Sequence, residues 1–118
     1  MLNMLKSIIQ LVQEIHPGLR CVSAENVASE VKTNNGILID VRELTEFDEK
    51  SANLSVNIPR VVLEMKIAAV CPTETNAIHV HCATGARATF AAKQLVRLGY
   101  RNVSMITCDL DTIICSQA

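Results

Sequence analysis

Apolar residues along the chain follow two alternating periods. In the opening segment Met4, Ile8, Leu11 and Ile15 recur at helical spacing, with Leu5, Ile9 and Val12 beside them. That pattern predicts an amphipathic helix with a broad apolar face, closed by His16-Pro-Gly18. Leu19-Arg-Cys-Val22 then predicts a short strand, and Ser23 the N-cap of a helix to about Lys32, with Val27 and Val31 inward. After the Asn34-Asn-Gly36 turn, Ile37-Leu-Ile-Asp-Val41 is nearly unbroken in apolar character, as a strand buried on both faces requires. A helical turn is expected from Glu43 to about Asp48, and a brief strand at Val56-Asn-Ile58. Pro59 suits the start of a helix reaching about Val70. Ala77-Ile-His-Val-His81 predicts a strand, Ala86 to Leu98 a helix ended by Gly99, and Asn102-Val-Ser-Met-Ile106 a last strand. Strands that alternate with helices in this way imply an α/β domain with a mainly parallel sheet of about five strands.

Composition narrows the class. In 118 residues there is room for one core; 49% of them are hydrophobic but only 3% aromatic, so that core is aliphatic. Net charge is −1, and the scattered basic residues leave neither a nucleic-acid footprint nor a polybasic membrane segment. The five cysteines form no Cys-x-x-Cys pair, so reduced thiols are expected rather than a disulfide framework or a zinc ribbon. The first helix is too polar and too short to span a bilayer and is followed by no cleavage site, from which a cytoplasmic protein is expected. Residues 1–18 read as an added N-terminal helix and 19–118 as the domain proper. A monomer is expected, with the apolar face of that helix as the surface through which a dimer would form.

Ligands of parallel sheets bind at the carboxyl ends of the strands. Two such ends carry chemistry here, Asp40-Val-Arg42 and Cys82. Between Cys82 and the helix, the small residues Ala83, Thr84, Gly85 and Ala86 let the backbone curl until its N–H groups converge on the sulfur. The helix dipole adds positive potential, and such a cradle favours the thiolate of a cysteine placed in it. Arg87, on the first turn, brings a fixed charge that could orient an oxyanion.

Cys82-Ala-Thr-Gly-Ala-Arg87 resembles the Cys-x-x-Gly-x-Arg loop of the single-domain rhodanese-like sulfurtransferases. Ile37-Leu-Ile-Asp-Val-Arg-Glu43, Glu46-Phe47 and Val56-Asn-Ile-Pro59 are similar to three further blocks of that family, in the same order. Leu98-Gly-Tyr-Arg-Asn-Val103 resembles its last helix-to-strand junction, so the likeness spans about Cys21 to Leu110. It implies a three-layer fold and no cofactor or metal. It also implies that Cys82 takes the outer sulfur of thiosulfate or a similar donor as a persulfide and passes it to a thiol, a protein or cyanide. The loop amides would hold the persulfide, Arg87 would hold the loop or the substrate, and Asp40 and Arg42 would tie the neighbouring strand end to the loop. Phosphatases of this fold carry a loop one residue longer, so sulfur transfer is favoured over dephosphorylation. The alternative is a persulfide carrier that relays sulfur between proteins and turns over small molecules poorly.

This chain departs from the family at Lys50-Ser-Ala-Asn-Leu-Ser55 and at Thr107-Cys-Asp109, where the family often has glycines. Cys108 is the candidate for a resolving thiol, provided the fold brings it within disulfide range of Cys82. His79 and His81 lack a third partner for zinc and read as sheet histidines, with His81 placed to contribute positive charge near the thiolate.

Overall fold

The computed structural model describes residues 5–82 and 85–117. Five parallel strands form one sheet: β1 (Arg20–Val22), β2 (Ile37–Asp40), β3 (Val56–Asn57), β4 (Ala77–His81) and β5 (Asn102–Ile106), in spatial order β1-β5-β4-β2-β3. Among the described residues six helices flank them: α1 (Ile8–Ile15), α2 (Ala24–Asn34), α3 (Leu44–Glu49), α4 (Leu63–Val70), α5 (Ala86–Leu98) and α6 (Leu110–Ser116).

The unbroken apolar run of β2 has its explanation in the layers. Ile39 and Val41 enter a core with Ile78, Val80, Leu63 and Leu95, on the side covered by α4 and α5. Leu38 turns the other way, to Val22, Val27, Ile106 and Ile113 beneath α2 and α6. Each face of the sheet therefore has its own apolar cluster, where the chain length suggested a single core, because the sheet separates the two layers. Ala88, Ala91 and Ala92 are fully buried, and their small side chains let α5 lie close on the sheet just past the cysteine loop.

The helix starts follow their side chains. Ser7 accepts from Gln10 N–H and Gln10 returns a bond to Ser7 N–H, a capping box at α1. Ser23 caps α2 through Asn26 N–H, as its position predicts, and Asn35 ends that helix in a left-handed conformation at φ 54°.

Two differences from the sequence reading have physical reasons. After Pro59 a turn of 3-10 helix (Arg60–Val62) precedes α4, so the helix there begins later than the proline suggests. The helix α6 is absent from the sequence reading. Its start signal is Asp109, whose carboxylate accepts from both the backbone N–H and the hydroxyl of Thr112. α1 does pack in cis against α5, but it buries no residue fully, and Ile8 and Ile9 stay 62% and 70% exposed. The unusual Lys50–Ser55 segment is fastened to α6: the Gln117 side-chain amide bonds both the N–H and the carbonyl of Asn53, and the Lys50 ammonium meets the Asp111 carboxylate. No helix among the described residues is long and apolar enough to cross a membrane.

Candidate active site

The carboxyl ends of β2, β4 and β5 lie side by side, with Asp40 opposite His81 and Val80 opposite Met105. Cys82 follows β4 directly and is 3% exposed. Its Sγ accepts from Gly85 N–H at 3.1 Å and from Ala88 N–H at 3.2 Å. The local sequence accounts for this. Gly85 occupies the N-cap position of α5 at φ 90° and has no side chain with which to cap. Ala88 is the third residue of that helix, whose N–H normally seeks a capping oxygen. The cysteine sulfur takes the place of that oxygen. Two donors and the positive end of a thirteen-residue helix thus face the sulfur, an arrangement suited to negative charge on it. Thr89 closes the turn by donating its hydroxyl to Gly85 O at 2.7 Å. Ala83 and Thr84, the remaining residues expected to cradle the sulfur, lie outside the described residues, while Ala86 opens α5 beside Gly85.

Arg87 has a partner that the sequence reading did not assign. Its guanidinium grips the Glu46 carboxylate with both terminal nitrogens, at 2.8 and 3.2 Å, linking the start of α5 to α3. That bond is the main reason the Glu46 carboxyl falls from 4.5 to about 2, and it holds Arg87 in its charged form. Among the described residues the arginine is thus paired with α3 rather than standing free at the rim of the loop. Glu46 was legible only as part of a family block, because its partner is 41 residues away.

Asp40 and Arg42 form a second, buried ion pair. The Asp40 carboxylate accepts from Arg42 N–H at 2.9 Å and from the guanidinium at 2.7 to 3.1 Å. Arg42 also donates to Lys50 O at 2.7 Å, fixing the turn after β2. The link from this turn to the cysteine strand is a backbone one, Val41 N–H to His81 O at 3.1 Å.

His81 lies 3.8 Å from the Asp40 carboxylate, beyond hydrogen-bond reach, and neither ring nitrogen has a hydrogen-bond partner among the described residues. Burial pushes its imidazole below the ordinary range despite the attraction of Asp40, so it sits neutral at physiological pH. The positive charge expected of His81 near the thiolate is thereby corrected: desolvation outweighs the nearby carboxylate. His79 pairs through Nδ1 with its cross-strand neighbour Ser104, at 2.6 Å, and burial lowers it too. Among the described residues no group of three or more His, Cys, Asp or Glu is placed to hold a metal ion.

Cys108 follows β5, accepts from Ala24 N–H at 3.4 Å and packs against the core beneath α2 and α6. It and Cys82 are both free thiols.

The parallel sheet thus sets a cysteine at the end of its central strand, where it caps the helix that follows. The family model of the rhodanese-like domain matches residues 23–112, and the chain belongs to that family. It shares its fold with sulfurtransferases. Over 80% of its length it is 25% identical to the thiosulfate sulfurtransferase of Pseudomonas aeruginosa, with a TM-score of 0.72, though it spans only 18% of that chain. A human single-domain sulfurtransferase matches 83% of this chain and 97% of its own at 20% identity and a TM-score of 0.71. A Rhodopseudomonas palustris protein of unknown function, termed a possible tyrosine phosphatase, matches 96% of this chain and 92% of its own at 16% identity, with a TM-score of 0.81. The last two likenesses bear on the fold alone. A sequence comparison with curated proteins finds no match.

Proposed function

We propose that the protein is a sulfurtransferase that carries sulfane sulfur on Cys82. The Cys82 thiolate attacks the outer sulfur of thiosulfate or a similar donor. The sulfur–sulfur bond of the donor breaks, sulfite leaves with its electron pair, and Cys82 holds a persulfide. A thiol, a protein or cyanide then takes the outer sulfur and returns the thiolate. The observation that carries this reading is the convergence of Gly85 and Ala88 N–H on Sγ, because the same donors can stabilise an anion extended by one sulfur. Family membership and the Pseudomonas neighbour support it. The pairing of Arg87 with Glu46 favours a second reading, a persulfide carrier fed by a partner protein, since it leaves that guanidinium less available to a small oxyanion.

Intact-protein mass spectrometry after incubation with thiosulfate separates these readings. The expected outcome is a gain of one sulfur atom, removed by cyanide or dithiothreitol and absent in Cys82→Ser. A gain only from a partner persulfide would favour the carrier. No gain from either, with hydrolysis of an aryl phosphate instead, would sink sulfur transfer.

A further inference from the structure

A cleft of about 620 Å³ opens beside the cysteine loop, between α1 and the carboxyl end of β5. Ile8, Ile9 and Val12 form one wall, Met105 and Ile106 another, and Gly85 and Ala86 of the loop close the end. The Cys82 sulfur lies one hydrogen bond behind that end, 3.1 Å from Gly85 N. Met105 is the floor nearest the loop: its Cε lies 3.7 Å from where a Cβ on Gly85 would stand, and its sulfur lies 3.4 Å from the Thr89 hydroxyl oxygen. This volume falls in the range of sites for whole small molecules and is ample for more than an inorganic anion.

The charge of the walls selects further. Among the described lining residues there is no lysine or arginine, whereas the Asp109 carboxylate is present. Arg87, the cation nearest in sequence, is held by Glu46. Beside its apolar side chains the lining holds Gln13, His16, Thr89, Thr107 and Cys108, so a dianion entering this cleft would meet the Asp109 carboxylate with no lysine or arginine to balance it. A neutral molecule with an apolar tail would meet complementary walls, and Ile8 and Ile9, exposed as they are, would gain burial from it.

We propose that this cleft is the subsite for a low-molecular-weight thiol or persulfide with an apolar alkyl or aryl tail, and that α1 is its specificity wall. The proposal rests on the sulfur-transfer reading and names its substrate class. In the donor direction the Cys82 thiolate attacks the terminal sulfur of R–S–SH. The S–S bond of the donor breaks, R–S⁻ leaves and takes a proton from solvent, and Cys82–S–SH forms. Acceptance by R–S⁻ is the reverse, and no outside oxidant or reductant enters.

Two measurements on the full chain test it. The protein, loaded with sulfur from inorganic polysulfide, is reacted with ethanethiol, butanethiol, hexanethiol and glutathione. The second-order rate of persulfide loss should rise up to about fourfold per added methylene as the tail enters the cleft, with glutathione slow. Ile9→Glu, at an exposed position that tolerates charge, should flatten the series. Separately, the matching alcohols are titrated into Cys82→Ser while the methyl signals of Ile8, Ile9 and Met105 are followed by NMR. Chain-length-dependent shifts at those methyls are expected whether or not sulfur chemistry occurs. Binding of the alcohols without any sulfur on wild-type Cys82 would keep the apolar site and overturn the sulfurtransferase reading. Sulfur loading with a flat thiol series and no methyl shifts would overturn the subsite. So would a dimer that closes the cleft in sedimentation at working concentration.

Discussion

Gly85 is the residue on which the loop turns. At φ 90° it holds a conformation that a side chain resists, and it places one of the two N–H groups that reach the sulfur among the described residues. A Cβ there would touch only Met105 Cε at 3.7 Å, an ordinary contact, so the cost of Gly85→Ala is conformational rather than steric. Roughly 1–2 kcal/mol of stability should be lost, measurable as a lower urea midpoint. The alkylation of Cys82 by iodoacetamide at neutral pH should slow as the donor geometry relaxes. Unchanged alkylation with lowered stability would mean that the sulfur does not depend on Gly85 N–H. Cys82 and Gly85 were legible in the sequence because the loop is local: a small-residue turn between a strand and a helix leaves few other places for the thiol. The partner of Arg87 was not legible, since many acids in the chain are equally plausible by pattern.

At the scale of elements, the Arg87–Glu46 pair joins α5 to α3 across the mouth of the loop. Both side chains are about one-third exposed, at 33% and 36%, so the pair should contribute only ~0.2–1 kcal/mol to stability. Its effect on the position of the first turn of α5 should be larger than its effect on folding. Glu46→Gln and Arg87→Lys are expected to unfold within about 1 kcal/mol of wild type, since lysine keeps the charge but not the two-pronged grip. Both should nevertheless change the alkylation rate of Cys82 severalfold. Wild-type rates in both variants would show that the pair is merely a surface contact. Elements with a strong local signal were predicted close to their observed bounds, among them α2, α5 and β2. α6 was missed because Leu110 to Ser116 is short and its apolar face, centred on buried Ile113, has meaning only against α2.

For the whole molecule, buried and paired ionisable groups set the response to acid. Burial lowers His79 and His81 from 6.5, and side-chain hydrogen bonds lower Glu46 and Glu64 from 4.5 to about 2. Each binds its proton more weakly in the folded chain than in the unfolded one. The unfolded chain therefore takes up more protons on acidification, and stability falls. The histidine part is intact above about pH 6.5 and is lost below it; the glutamate part is intact above about 4.5 and is lost toward 2. Urea midpoints should accordingly decline from pH 7.5 to 5.5 and again below 4.5. A flat profile between 7.5 and 5.5 would contradict neutral buried histidines.

The sequence by itself determined what neighbouring residues can decide. The alternation of strand and helix patterns, the doubly buried β2, the capping residues and the cysteine loop all depend on side chains a few positions apart. Only the tertiary structure decided which distant groups meet. It gave Arg87 to Glu46, buried His81 as a neutral ring beyond hydrogen-bond reach of Asp40, and stood α1 beside the loop with two isoleucines open to solvent. Charge pairing and desolvation depend on distance in space, which residue spacing along a chain does not encode.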